Sequence, residues 1–158
     1  MMGILQVASY IYKRYMDDFG VRIDEMKLHK LLYFTQRECL IQKGEPMFEA
    51  LFEAWKYGPV MVQIRQYYKN DSFPELMDKE QVVQYEPVLD MVFKTYASQK
   101  SWSLSTLTNG EYSWKHAREG YDELDSCEVE MKTEDIMVDA NRVRERRAVL
   151  RQLNLYNA

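Results

Sequence analysis

Apolar residues at Ile4, Val7, Ala8, Ile11 and Tyr15 recur at intervals of three and four, which predicts a first amphipathic helix ending near Gly20. The next stretch is apolar on more than one face. Leu28, Leu31, Leu32, Thr35 and Cys39 form one stripe, but Tyr33, Phe34 and Leu40 lie off it, so this second helix is predicted to be central, with neighbours on several sides. Asp24 is placed to cap its start, and Gly44 followed by Pro46 stops it. The period then fails: between Pro46 and Lys56, residues Phe48, Leu51, Phe52, Ala54 and Trp55 suit an extended segment as well as a helix. Pro59 carries the fixed φ of a first helical turn, and Ile64, Tyr67 and Tyr68 continue that helix toward Asn70, before a loop through Asp71, Ser72 and Pro74. A further helix is predicted from near Pro87, with Leu89, Val92, Phe93 and Tyr96 on one face, and a short one from Ser103 to Thr108 before Gly110. The last helix begins after Thr133, where Glu134 and Asp135 suit the positive end of the helix dipole; Ile136, Ala140, Val143, Leu150 and Leu153 give it a broken apolar stripe. The predicted fold is mainly α: a compact single-domain helical bundle spanning residues 1–158, with at most a short β-ribbon near residues 48–56 and 128–133.

Composition narrows the function classes. A chain of 158 residues with 46% hydrophobic content can bury one ordinary core and needs neither disulfide nor metal to stay folded. Cys39 and Cys127, far apart in a chain without a signal peptide, read as reduced thiols of a cytoplasmic protein. No apolar run approaches the ~20 residues of a membrane span. A net charge of −4 argues against a general nucleic-acid binder. Locally the charge is uneven, with eight acids against Lys132 from Glu119 to Asp135, then five arginines against Glu145 from Arg142 to Arg151. A solvated loop followed by a solvated helix face is the favoured reading; acids mimicking a nucleic acid, or arginines gripping phosphate, is the sharper one. With only Leu124, Val129 and Met131 as apolar anchors, the acidic segment is also a candidate for ordering on a partner.

Candidate chemistry is sparse. The two histidines, His29 and His116, lack the paired ligand spacing of a zinc site, and no nucleophile elbow, phosphate loop or His-Glu-x-x-His motif occurs. The adjacent acids Asp17 and Asp18 point about 100° apart on a helix and form no shared acid/base site. The expectation is therefore a protein without catalytic residues, metal or cofactor. Twelve Tyr and three Trp admit a stacking surface in which Tyr33, Trp55, Tyr57, Tyr67 and Tyr68 hold rings between Lys56, Arg65 and Lys69, although aromatics at helical spacing more often fill a core.

Three motifs carry a family resemblance. MKLHKLLYFTQ (Met26 to Gln36), FEAWKYGPV (Phe52 to Val60) and LSTLTNGEYSWKHA (Leu104 to Ala117) together resemble the Panacea domain, the SocA-like or GepA-like antitoxin family. Lys27, Leu28, Lys30, Leu31, Leu32, Tyr33 and Gln36 fit its helix motif, and Glu53, Ala54, Trp55, Gly58, Pro59 and Val60 fit its second element. In the third, Asn109 stands where the family usually has His, and Ser113 precedes Trp114 where it usually has Pro. The resemblance covers roughly residues 4 to 140. It implies a mostly helical antitoxin, often phage- or mobile-element-associated, whose partner is a cognate toxin protein encoded by an adjacent gene. Neutralisation would be by direct contact, or by handing the toxin to an ATP-dependent protease.

The Gly58-Pro59 step reads as a packed corner, with Trp55 expected to plug beneath it against Leu31, Leu32 and Tyr33. The candidate partner-binding residues are Lys30, Tyr33, Gln36, Trp55, Lys56, Tyr57, Tyr67, Asn109 and Trp114. Lys30, Gln36, Lys56 and Tyr57 head this set, since as polar members of the motifs they have no packing reason of their own. Two other classes stay open: a DNA-binding regulator using the Arg142–Arg151 helix, and a ligand-binding or enzymatic domain using Tyr, Lys and His29.

Overall fold

The computed structural model describes residues 1–74 and 76–154. The first two helices follow the predicted punctuation. Helix α1 spans Ile4–Phe19 and α2 spans Glu25–Lys43; they end on Gly20 and Gly44, at φ 72° and 75°, the left-handed conformation that glycine adopts without penalty. Asp24 caps α2 by accepting from the Lys27 amide at 2.8 Å. The remaining helices are α3 (Val62–Lys69), α4 (Lys79–Val92) running into a π-helical turn (Phe93–Ala97), α5 (Ser101–Asn109), α6 (Tyr112–Ala117) and α7 (Thr133–Gln152). No helix of the described residues is long and apolar enough to cross a membrane.

Helix α2 is the axis of the fold. Every residue from Lys27 to Ile41 is buried, and α1, α4, α5, α7 and strand β2 all pack on it. A helix enclosed on all sides must bury its polar side chains with partners. Gln36 does so as a backbone clamp: its Oε1 accepts from the amides of Met47 and Phe48 at 3.0 and 3.3 Å, and its Nε2 donates to the Phe48 carbonyl at 2.9 Å. Glu38 is held by both terminal nitrogens of Arg147 at 2.8 and 2.9 Å.

The β-structure is a hairpin, with β1 (Phe52–Trp55) antiparallel to β2 (Gly58–Met61) and only Lys56 and Tyr57 between them. Neither loop residue has positive φ; the left-handed step falls to Gly58 at φ 111°, as in hairpins where an ordinary turn is followed by a glycine. Pro59 therefore sits inside a strand and does not start a helix, which begins only at Val62. The strand tolerates it because the Ala54 amide opposite points away, to the carbonyl of Val129 at 2.9 Å, so this pair exchanges no ladder bond. Met131 N donates to Phe52 O at 2.8 Å, and residues 129–131 thus line the outer side of β1, the second piece of ribbon the sequence suggested.

Two other expectations change. Helix α4 starts eight residues before Pro87, at an Asp78–Gln81 capping box, and Pro87 lies within it. The carbonyl that loses its partner belongs to Val83, which is 68% exposed and open to water. The acidic stretch after Glu119 is not left waiting for a partner. Arg118, itself buried, donates to the carbonyls of Asp122 and Asp125 at 2.9 and 2.6 Å, and Cys127 and Met131 turn into the core while Leu124 and Val129 face out.

Candidate functional site

The three sequence motifs converge on one object, the tip of the hairpin. Between Ala54 and Pro59 five backbone carbonyls are each met by a side chain from elsewhere. Arg118 Nη1 donates to Ala54 O at 2.9 Å, Trp114 Nε1 to Trp55 O at 2.8 Å and Asn109 Nδ2 to Lys56 O at 3.3 Å. Ser105 Oγ donates to Tyr57 O at 2.6 Å and Lys30 Nζ to Pro59 O at 3.2 Å. A short hairpin is marginal by itself, and these contacts from α2, α5, α6 and the residue after α6 hold it rigidly against the bundle. The approach is close enough to require glycine: a Cβ on Gly58 would stand 2.5 Å from Thr108 Oγ1 and 2.7 Å from Lys30 Cε.

The tip so held presents its side chains outward. Tyr57 is 44% exposed, with its ring 5.3 Å from that of Trp102, itself 62% exposed. Lys56 Nζ lies 5.2 Å from the Tyr57 ring centre. Trp55 does not plug the corner. Strand alternation sends Phe52 and Ala54 inward, Phe52 to within 5.9 Å of the Tyr33 ring, and leaves Trp55 half-buried at the surface, its Nε1 donating to Glu53 and its ring beneath the Arg65 guanidinium at 5.0 Å.

Beside the tip, a cavity of about 380 Å³ opens between the first turns of α2 and the hairpin. Glu25, His29, Lys30, Trp55, Tyr57 and Arg65 are among its walls. His29 Nδ1 accepts from the Met61 amide at 3.1 Å, which fixes the proton on Nε2, the atom 2.9 Å from Glu25 Oε2. Burial pushes the His29 imidazole below its usual range, while the hydrogen bond from His29, with a second from Arg65, holds the Glu25 carboxyl down at about 2. Among the described residues no carboxylate pairs with Lys30, and burial lowers its ammonium to about 7.

A separate polar cluster lies deeper. Tyr33 Oη donates to Glu111 Oε2 at 3.0 Å and lies 3.2 Å from Ser113 Oγ and 3.3 Å from Asp139 Oδ2. Arg37 Nη1 binds Glu111 at 2.8 Å, and Asp139 accepts the Tyr112 and Ser113 amides at 2.8 and 2.9 Å, capping α6 from a distant helix. Burial raises both the Tyr33 hydroxyl and the Glu111 carboxyl. The cluster joins α2, α6 and α7.

The nine candidate residues thus separate. Trp55, Lys56 and Tyr57 form the presented tip. Lys30, Asn109 and Trp114 hold it from behind, and Lys30 and Trp114 are too buried to lie on a protein–protein interface, although Lys30 reaches the wall of the cavity. Gln36 and Tyr33 are interior, tied to the Met47–Phe48 segment and to the Glu111 cluster, which corrects their place in a surface set. Tyr67 stands on α3, its ring 6.3 Å from Phe73. The stacking set divides: Trp55, Tyr57, Lys56 and Arg65 line one cavity, while Tyr33 is interior and Tyr67, Tyr68 and Lys69 lie on α3 away from it. Of the five α7 arginines, Arg144 donates to the Leu40 and Ile41 carbonyls at the end of α2, Arg147 holds Glu38, and Arg142 lies over Tyr112, so three of them are engaged within the chain, while Arg142, Arg144, Arg146 and Arg151 keep exposed surface. Arg118 and Ser105 went unread in the sequence, because a donor reaching a carbonyl many residues away leaves no periodic signal.

Comparison with known proteins fits this convergence. The model of the family described as "Antitoxin SocA-like, Panacea domain" matches residues 28–115, which includes Lys30, the hairpin, Ser105, Asn109 and Trp114. Over 40 residues the chain is 48% identical to Antitoxin SocA of Caulobacter vibrioides (strain NA1000 / CB15N), an alignment spanning 25% of this chain and 21% of that protein. No solved structure matches.

Proposed function

The chain belongs to the SocA-like antitoxin family with a Panacea domain, and from that premise we propose that it neutralises a cognate toxin protein by direct binding, without catalysis of its own. The observation that carries the reading is the hairpin tip fastened through five carbonyls while Tyr57, with Trp102 beside it, stays uncovered. A fixed aromatic pair with neighbouring cations is suited to anchoring a protein interface, since large rigid side chains bury much area at modest entropy cost. The motif residues behind it serve to hold it in position, so one scaffold can carry different outward residues for different toxins. The partner is expected from an adjacent gene, with both proteins acting in the cytoplasm.

The test is co-expression of the neighbouring reading frame with this chain in the native host, with growth and co-purification read together. Rescue of growth and a stoichiometric complex support direct neutralisation. Rescue accompanied by loss of the toxin, reversed when an ATP-dependent protease is deleted, would mean delivery to that protease. Failure to rescue or to co-purify with any neighbouring product would overturn the antitoxin reading.

A further inference from the structure

We propose that the cavity between the start of α2 and the hairpin is a binding site for a small aromatic carboxylate, held at its anionic end by Lys30 and along its ring by Trp55 and Tyr57.

The first observation is a cation with spare donors. An ammonium has three hydrogen-bond donors; Lys30, 1% exposed, uses one on Pro59 O, and among the described residues no carboxylate pairs with it. Glu25, the acid in the same wall, is already engaged by His29 and Arg65 at 2.9 and 2.8 Å. A buried charge is ordinarily paired, because leaving it alone is costly. The lowered proton affinity of this amine accords with a cation buried without a partner. Two remaining donors match the two oxygens of one carboxylate better than the larger donor demand of a phosphate.

The second observation is the shape and lining of the space. Its volume of about 380 Å³ lies at the lower end of the range for small-molecule sites, which suits a body of one or two rings. Met26 and Val60 add apolar wall to the two aromatic rings. The cations Lys30, Lys56 and Arg65 outnumber the single acid Glu25, giving a locally positive cavity in a chain of net charge −4. Arg65 is fixed by Glu25 and lies against Trp55, so this wall is set before a ligand arrives.

The experiment is calorimetric titration of the full chain with indole-3-acetate and with benzoate, each beside its neutral amide. It needs no toxin, so its result is independent of the antitoxin assignment. At least one acid is expected to bind about tenfold or more tightly than its amide, and Lys30→Met, which keeps the apolar stem, should reduce the acid to the level of the amide. In the wild type, amide and indole N–H resonances of Trp55, Tyr57 and Met61 should move on binding, a readout that stands even if the variant fails to fold. Absence of binding by both acids into the millimolar range, equal affinity for acid and amide, or shifts confined to another face would each overturn the proposal.

Discussion

The indole Nε1 of Trp114 donates to the carbonyl oxygen of Trp55 at 2.8 Å, across 59 positions of the chain. One tryptophan, buried at the start of α6, thereby fixes the backbone of another whose side chain faces outward. The relationship shows what Trp114 supplies to the third motif: apolar volume and a single donor aimed at the hairpin.

Replacing Trp114 by Phe retains a ring and removes the donor. The loss should be about 1–2 kcal/mol, measured by urea unfolding with an unchanged slope, and neutralisation of the toxin should weaken because the tip is less firmly held. An intact midpoint would deny the bond its role.

Phe52 and Trp55 exchange the importance that bulk alone would assign them. Phe52→Ala empties a fully buried site and should cost about 3–5 kcal/mol, whereas Trp55→Ala, at the half-exposed position, should cost about 1–2 kcal/mol. Equal losses in chemical denaturation would contradict the strand alternation described.

Gln36 makes three bonds to the Met47–Phe48 backbone from a fully buried position. Gln36→Leu leaves two amides and a carbonyl without partners, so the loss should reach about 3 kcal/mol or more, beyond that of an ordinary hydrogen-bond deletion. Hydrogen exchange at Met47 and Phe48 should accelerate in parallel.

Stability should fall in acid in two steps. The folded His29 titrates below 6.5, so as pH drops past that value the unfolded chain takes up a proton that the folded chain refuses. Glu25, held at about 2 against an ordinary 4.5, contributes stability above the ordinary value that is lost as pH falls toward the lower one. On the alkaline side Lys30, lowered from 10.5 to about 7, makes stability rise between those values by up to about 1.4 kcal/mol for each pH unit. Above pH 9 the raised Cys39 thiol opposes that rise. Thermal melts from about pH 2 to about pH 11 check the pattern, and Lys30→Met should flatten its alkaline limb.

Tyr57→Asp and Trp102→Asp alter exposed rings and should change stability by no more than about 0.5 kcal/mol. Both should abolish rescue from the toxin. Retained rescue with either would move the contact surface elsewhere.

Much of the fold was legible because α1 and α2 are written in period and punctuation: each has an apolar stripe and a glycine after its C-terminus, and α2 has the Asp24 cap as well. Proline misled twice. Pro59 and Pro87 were read by their local preference for helix starts, but tertiary context placed one opposite an amide that points away and the other where its orphaned carbonyl meets water. Helix α6 went unseen because its cap, Asp139, comes from α7. Lys30 and Gln36 looked like surface residues because they are polar, and only the enclosure of α2 on every side shows them to be interior fastenings. The motifs marked the right region while the division between holding and presented residues required the backbone of the hairpin.

The outward backbone groups of β2 have a further consequence. Pro59 offers no amide and its carbonyl is taken by Lys30, Met61 N is taken by His29, and the opposite margin of the ribbon is closed by residues 129–131. A sheet edge ordinarily invites another chain to add a strand, with little regard for that chain's sequence. Here that route is shut, so the ribbon neither seeds aggregation nor accepts an arbitrary extended peptide, and whatever docks at the tip must be chosen by side chains.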